Sequence, residues 1–179
     1  MNDKIKEMLT RLAIENPGVQ NRFKMSAGIV YRRHLIATGV NQYKTHPIMM
    51  PENGYREGQI FLHAEIDAIK NALRLITQEQ LAKCDLYVLR VKRPDIPWSK
   101  NWVYGLAKPC RGCQRMIASF GIQNVYYTED YELTNQNERV INITVTLKRG
   151  DDEQDGGAIP PTSTIHLKHI HRVCFEGVI

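Results

Sequence analysis

The chain has 179 residues, of which 42% are hydrophobic, and its formal net charge is +5 at pH 7. This length and this apolar fraction suffice for one domain with a sizeable core, and they exclude a largely disordered chain. No segment approaches the roughly 20 apolar residues of a membrane span, so no membrane association is expected. The N-terminal segment lacks the apolar core of a signal peptide, so a cytoplasmic location is expected. The mild positive charge favours anionic partners such as nucleotides or nucleic acid.

Helices and strands alternate along most of the chain. Helices are predicted over residues 2–15, 63–77 and 110–120, where apolar residues recur at helical spacing and Pro or Gly stands near the ends. Strands are predicted over 26–32, 35–40, 85–91 and 123–128, with Arg33–His34 as the turn of a hairpin and loops over 41–60 and 92–108. This succession predicts an α/β architecture in which helices pack on the faces of a sheet.

The C-terminal part adds two further predicted strands. Residues 139–148 alternate between polar and apolar side chains. Only about ten residues connect them to the preceding strand, too few for a parallel crossover, so an antiparallel strand is expected. An acidic, Gly- and Pro-rich connector over 150–161 leads to a last strand over 164–175. We therefore predict a domain of residues 1–149 and an extension of residues 150–179 that packs on the same domain or on a neighbouring subunit.

A pair of closely spaced cysteines opens the third predicted helix, in the segment Pro109-Cys110-Arg111-Gly112-Cys113. Cysteines three residues apart lie one turn apart on the same helical face, and a helix N-terminus favours the thiolate form. Two thiolates so placed are half of a tetrahedral zinc site. The same spacing also occurs in redox pairs and in inert buried cysteines.

His63 and Glu65 stand at the start of the second predicted helix, one strand before this pair. Alone, His63 would be typical of a solvated histidine, and Glu65 of a carboxylate that complements the helix dipole. Together with Cys110 and Cys113, His63 makes three protein ligands, which leave one position of a zinc ion open, as in catalytic sites. His-x-Glu followed by Pro-Cys-x-x-Cys is the signature of zinc deaminases, in which the glutamate moves protons and is not a ligand.

Through these motifs the chain resembles the cytidine deaminase superfamily over roughly residues 22–128. The segments HAEIDAIKNAL and AKPCRGCQRMIASFGI are most similar to phage and bacterial deoxycytidylate-deaminase-like zinc deaminases. The resemblance implies a three-layer α/β/α fold, with a central mixed sheet of about five strands and helices on both faces. It also implies hydrolytic deamination of a cytosine nucleotide, with dCMP to dUMP and ammonia as the first candidate. Zn²⁺ would provide hydroxide at neutral pH, and Glu65 would shuttle the protons.

The resemblance also assigns residues to substrate binding. The Gly-Val-Asn sequence that ends at Asn41 is similar to the family's Gly-Tyr-Asn-Gly loop, with Gln42 in place of the last glycine. Asn41 is thereby expected to contact the substrate. The backbone amide of Ala64 is expected to bind the carbonyl of the base. Tyr127 and Tyr131 are similar in spacing to a loop that closes over the base.

These motifs leave the substrate class and the partners open. The expected partner is a nucleotide or nucleoside, but a base in RNA or single-stranded DNA would enter the same pocket once extruded from its strand. A non-catalytic, zinc-stabilised binding module of the same fold is a further alternative. Trp98, Trp102 and Tyr104 lie among basic residues, and we interpret them as the interface of a homo-oligomer. The alternative for these aromatic residues is base stacking on a single strand.

Overall fold

The computed structural model describes residues 3–17, 19, 23–47, 61–93, 101–130, 142–148 and 162–170, the last two segments by their backbone. The helices are Asp3–Glu15 (α1), Ala64–Ala72 (α2), Gln78–Leu81 (α3) and Arg111–Ser119 (α4). The strands are Lys24–Tyr31 (β1), His34–Val40 (β2), Gln42–Thr45 (β3), Phe61–Leu62 (β4), Asp85–Lys92 (β5), Val103–Gly105 (β6), Asn124–Thr128 (β7), Asn142–Lys148 (β8) and Thr162–Ile170 (β9). Within these ranges, no helix has the length and apolar character needed to cross a membrane.

Seven strands form one mixed sheet, in the order β2-β1-β5-β7-β9-β8 with β6 beside β5. The pairs β5–β7 and β7–β9 are parallel, and the other pairs are antiparallel. Strands β3 and β4 form a separate two-stranded sheet. The predicted α/β class with a mixed sheet is confirmed. The sheet is larger than expected because β6 lies inside the segment predicted as a loop and because both C-terminal strands join it.

The C-terminal strands join the sheet in an order that the sequence did not indicate. Strand β9 lies between β7 and β8, so β8 is antiparallel to β7 in direction but is not its neighbour. A parallel pair needs a long crossover, and the segment from β7 to β9 provides one, whereas the short segment from β7 to β8 does not. The division of the chain at residue 150 stays a prediction.

Strand β5 shows why both faces of the sheet are covered. Leu86 and Val88 point to one face and belong to the larger core cluster, which includes side chains of α2 and α4. Tyr87 and Leu89 point to the other face and pack with Leu9 of α1. Because successive side chains of a strand alternate between faces, β5 is buried on both sides. The helices therefore form two layers, α1 on one side and α2 with α4 on the other.

Helix α2 ends at Ala72, although the apolar spacing predicted a helix up to residue 77. A new helix starts at Thr77, so the predicted helix cannot continue through that residue. Its hydroxyl accepts the N–H of Gln80 at 3.3 Å, and the Gln80 side chain accepts the N–H of Thr77 at 3.0 Å. This capping box requires an extended backbone at Thr77, which interrupts the helix. Leu73, predicted on the buried face, lies in the intervening turn and is exposed.

The turn between β1 and β2 is Arg32–Arg33, one residue earlier than predicted. Both residues have positive φ, 47° and 71°, as the two central residues of the commonest hairpin turns require. Neither residue is Gly or Asn, the residues that usually mark such a turn. The exact turn position was therefore not visible in the sequence.

Candidate active site

The starts of α2 and α4 bring three metal-binding side chains together. His63 is the N-cap of α2, Cys110 is the N-cap of α4, and Cys113 lies in the first turn of α4. The Nδ1 atom of His63 lies 3.2 Å from Sγ of Cys113 and 3.6 Å from Sγ of Cys110. All three donor atoms lie within 4.8 Å of one another. The two motifs predicted to cooperate therefore meet in space.

The spacing of these donors fits a zinc ion. With Zn–S near 2.3 Å and Zn–N near 2.1 Å, a tetrahedral site has S···N edges of about 3.6 Å. The two observed His63–Cys separations are close to this edge. The backbone N–H of Cys113 also donates to Sγ of Cys110 at 3.5 Å, which favours a thiolate there. A redox pair of cysteines would not need the histidine, so the donor set favours the metal.

Hydrogen bonds among Cys110, His63 and Cys113 shift the pKa values of all three side chains. Hydrogen bonds from Cys113 and His63 lower the pKa of Cys110 to about 4, against the opposing effect of burial. The hydrogen bond to Cys110 raises the pKa of His63. The hydrogen bond with Cys110, together with burial, raises the pKa of Cys113. Negative charge is thus concentrated on Cys110, the N-cap of α4.

Glu65 lies beside this cluster in the first turn of α2. It is only 2% exposed, and burial raises the pKa of its carboxyl group. Its Oε2 atom is shielded from solvent and has no hydrogen-bond partner among the described residues. A buried acceptor without a partner is costly unless a ligand or water satisfies it. Glu65, which the sequence motif predicts to be the acid–base group, therefore places a buried carboxyl group next to the candidate metal site.

Strand β2 and the residues after it hold α2 in place. A Cβ atom at Gly39 would lie 2.2 Å from the backbone N of Ala68, so only glycine allows the strand to approach the helix this closely. Asp67 of α2 accepts the N–H of Val40 at 3.1 Å and the side-chain amide of Gln42 at 3.3 Å. The helix that presents His63 and Glu65 is thereby tied to the strand edge.

Asn41, predicted to contact the substrate, has a structural role as well. Its Oδ1 accepts the N–H of Met25 at 2.8 Å and the side-chain amide of Asn16 at 3.2 Å. Its Nδ2 donates to the carbonyl of Phe23 at 2.9 Å. Asn41 thus ties the end of β2 to the segment that leads into β1.

A cavity of about 320 Å³ opens above the cluster. Five of the predicted site residues line it, namely Asn41, His63, Ala64, Glu65 and Cys110. Cys113 contributes its sulfur from a fully buried position. Tyr127 lies in the core on β7 and is not among the lining residues. Tyr131 lies outside the described residues. The substrate roles of both tyrosines stay predictions, and the lining gives Tyr127 no support.

Other lining residues were missed by the sequence analysis. They are the aromatic Phe23, Tyr43 and Phe61 and the basic Arg90 and Lys108. One of them carried a visible signal, because Arg90 is a charged residue inside the apolar strand DLYVLRV. The aromatic residues carried no signal, since nothing in their local sequence shows which side chains will meet at the cavity.

Three protein donors with a neighbouring acid–base carboxylate are typical of catalytic zinc enzymes. The family described as "Cytidine and deoxycytidylate deaminase zinc-binding region" matches residues 2–129, and the chain belongs to this family. The protein is accordingly a zinc-dependent hydrolase of the deaminase class, as the sequence motifs predicted.

Solved structures of deaminases are similar to this chain. One is dCMP deaminase from the cyanophage S-TIM5 in complex with dCMP and dUMP, with a TM-score of 0.44 and 24% identity over 74% of this chain and 87% of that chain. The apo form of that enzyme has a TM-score of 0.43 and 24% identity over 72% and 86% of the two chains. A structure from studies of A-to-I editing by tRNA:A34 deaminases has a TM-score of 0.37 and 21% identity over 70% and 77%. No curated protein matches the sequence. At these scores, none of the likenesses bears on the substrate.

Proposed function

We propose that this protein removes the exocyclic amine of a cytosine nucleotide by hydrolysis, with dCMP plus water to dUMP plus ammonia as the first candidate. The observation that carries the proposal is the position of Glu65. Its buried carboxylate, with Oε2 unpartnered among the described residues, lines the same cavity as the metal-binding His63 and Cys110.

His63, Cys110 and Cys113 would hold the zinc ion, and a fourth position would remain for water. The chemistry supplied by the metal when bound is a lowered pKa of that water, so that it can attack carbon 4 of the base at neutral pH. Glu65 accepts the proton of the attacking water at Oε2 and delivers it to N3 of the ring. The same carboxylate then takes the remaining proton of the hydroxyl now bound to carbon 4 and delivers it to the amine, which leaves as ammonia while carbon 4 becomes a carbonyl. General acid–base catalysis of this kind is typically worth about 10²–10⁴ in rate.

Two further groups in the cavity wall would orient the base and the sugar. Ala64 is the first residue of α2 and lines the cavity, and the N–H groups of a first helical turn have no partner within their helix. This N–H would donate to the carbonyl oxygen of the base. The side-chain amide of Asn41 has a second N–H besides the one used on Phe23, and it would donate to an oxygen of the sugar.

The size of the cavity supports a single nucleotide as the substrate. A volume of about 320 Å³ lies at the small end of the range of small-molecule pockets, about 300–1,000 Å³.

A second candidate, a base in a single nucleic-acid strand, is favoured by one observation. Tyr43 and Phe61 at the cavity are 59% and 41% exposed and form an edge-to-face pair with centroids 5.5 Å apart. Exposed aromatic rings can stack neighbouring bases.

The test is ammonia release by the zinc-loaded protein from cytosine, adenine and guanine nucleosides, nucleotides and oligonucleotides. We expect the highest kcat/KM with dCMP. Glu65→Gln should keep the fold and one zinc ion per chain but lose at least about a hundredfold in kcat, because it removes the proton shuttle. The matched control is Glu79→Gln, which makes the same change in α3, away from the cavity, and should leave kcat unchanged. More than a hundredth of the activity in Glu65→Gln would refute the assigned role.

A further inference from the structure

Arg90 is a charged residue held in a defined position beside the cavity. Its backbone N–H donates to Oγ1 of Thr128 at 3.2 Å, and that hydroxyl donates to the carbonyl of Gly105 at 2.8 Å. Gly105 lies opposite Arg90 in the β5–β6 pairing. A Cβ atom at Gly105 would lie 3.2 Å from Cδ and 3.3 Å from Nε of Arg90. The absence of a side chain at Gly105 therefore lets the arginine lie across β6.

The guanidinium group of Arg90 lines the cavity and is held there by two contacts. It stacks on the ring of Phe23, with Cζ 4.2 Å from the ring centroid, and Nη1 donates to the carbonyl of Leu106 at 3.2 Å. Nε is shielded from solvent but has no partner among the described residues. Nε–H and one N–H of Nη2 lie on the same edge of the group, and this edge binds phosphate oxygens in a bidentate manner.

The charges around this edge favour an anion. Lys108 lines the same cavity as Arg90. The nearby carboxylate of Asp130 lies 2.7 Å from Nζ of Lys92 and accepts the N–H of Leu106 at 3.3 Å. Lys92 is the direct ion-pair partner of Asp130, which also interacts electrostatically with Arg90. The described lining of the cavity holds two basic side chains, Arg90 and Lys108. Glu65, at the candidate metal site, is the opposing acidic group in the described lining.

We propose that Arg90, assisted by Lys108, binds the 5′-phosphate of a mononucleotide and so selects nucleotides over nucleosides. This inference rests on the proposed deamination of a cytosine nucleotide and adds the residues that would recognise its phosphate. The reacting base would lie near Glu65, and its phosphate near the Nε–Nη2 edge. Phe23 and the Leu106 carbonyl keep the guanidinium in place, so little rotamer freedom of the arginine is lost on binding.

The test compares kcat/KM for dCMP with kcat/KM for deoxycytidine. Arg90→Met keeps an apolar chain against Phe23 but removes the charge, and it should lower the value for dCMP by about 10- to 100-fold, the range of a charge-assisted hydrogen bond. The value for deoxycytidine should change by no more than about twofold, because the nucleoside does not use the subsite. Arg90→Lys should recover part of the loss, since lysine keeps the positive charge but lacks the two parallel N–H donors of the guanidinium group. Arg74→Met, an exposed arginine outside the cavity, is the matched control and should change neither value.

One further variant and one binding measurement distinguish failure of this inference from misfolding of a variant and from failure of the proposed function. Gly105→Ala retains the charge of Arg90 but displaces its side chain, and it should show the same selective loss for dCMP. Binding of inorganic phosphate to the zinc-loaded protein should weaken at least about fivefold in Arg90→Met and not in Arg74→Met, whether or not any cytosine compound is deaminated. Equal losses for dCMP and deoxycytidine, or unchanged phosphate binding, would overturn the assignment. So would a wild-type enzyme that prefers oligonucleotides to dCMP.

Discussion

At the scale of single residues, two buried cysteines with different neighbours illustrate what makes a metal ligand. Cys84 and Cys113 are 2% and 0% exposed. Sγ of Cys84 donates to the carbonyl of Gln80 at 3.3 Å, one helical turn away. Sγ of Cys113 instead lies beside the ring of His63. Burial alone therefore does not separate a structural thiol from a ligand, whereas the presence of other donors does.

This difference predicts opposite behaviour of two matched variants. Cys113→Ala should lose most of the single zinc ion and have a lower melting temperature, because metal binding contributes to the stability of the folded state. Cys84→Ala should keep the zinc and lose only packing energy. Elemental analysis after dialysis and thermal unfolding, with and without a chelator, measure both effects. Full zinc content in Cys113→Ala would show that the ligand assignment is wrong.

At the scale of elements, the contact of β2 with α2 positions the helix that carries the predicted acid–base residue Glu65. The strand approaches so closely that a methyl group at Gly39 would overlap the backbone at Ala68 and Ala64, where nothing can rotate away. The hydrogen bonds of Asp67 to Val40 and Gln42 hold the same two elements together. Helix α2 cannot shift without moving His63 and Glu65.

We therefore expect Gly39→Ala to lower the free energy of unfolding by about 1–3 kcal/mol, the usual cost of overpacking a core. It should also weaken zinc binding, because His63 moves with α2. Gly28→Ala is the control, since its methyl group would meet the side chains of Leu35 and Leu9, which can adjust. Urea unfolding and a zinc titration measure the two effects. A Gly39→Ala protein as stable as wild type would contradict the importance of this contact.

At the scale of the whole molecule, the chain carries a net charge of +5. Two cations, Lys24 and Arg93, lie 5.7 Å and 5.3 Å from the ring centroid of Trp102. The hydroxyl of Tyr104 forms a hydrogen bond with Thr10 at 3.0 Å. Trp102 and Tyr104, interpreted from the sequence together with Trp98 as an oligomer interface, therefore contact their own chain, whereas Trp98 lies outside the described residues. A homo-oligomer stays a prediction, to be checked by analytical ultracentrifugation.

A mononucleotide enzyme should bind nucleic acid only weakly. Each phosphate neutralised on a single strand contributes about −0.7 to the slope of log affinity against log salt concentration. We expect a slope no steeper than about −2 for a cytosine-containing oligonucleotide, which corresponds to about three ionic contacts. Fluorescence anisotropy at several salt concentrations measures the slope. A steeper slope, with a loss of about 1–3 kcal/mol of strand binding in Trp102→Ala, would instead indicate base stacking and a nucleic-acid substrate.

The sequence by itself determined the chemistry of this protein. His63 with Glu65, and Cys110 with Cys113, are local patterns at helix starts, where backbone geometry places side chains two or three residues apart in a known direction. The α/β class followed from the alternation of helical and strand periodicities. Such patterns involve residues that are close in the sequence, so they can be recognised without knowledge of the fold.

Only the tertiary structure decided which residues surround the cavity and how the sheet is completed. Arg90, Phe23 and Leu106 come from distant parts of the chain and meet only when the strands pair. Strand β9 separates β8 from β7 because parallel pairing depends on the length of a crossover and not on any local pattern. Substrate recognition depends on such contacts between residues that are distant in the sequence. The candidate phosphate site at Arg90 was therefore not predicted from the sequence, whereas the metal site was.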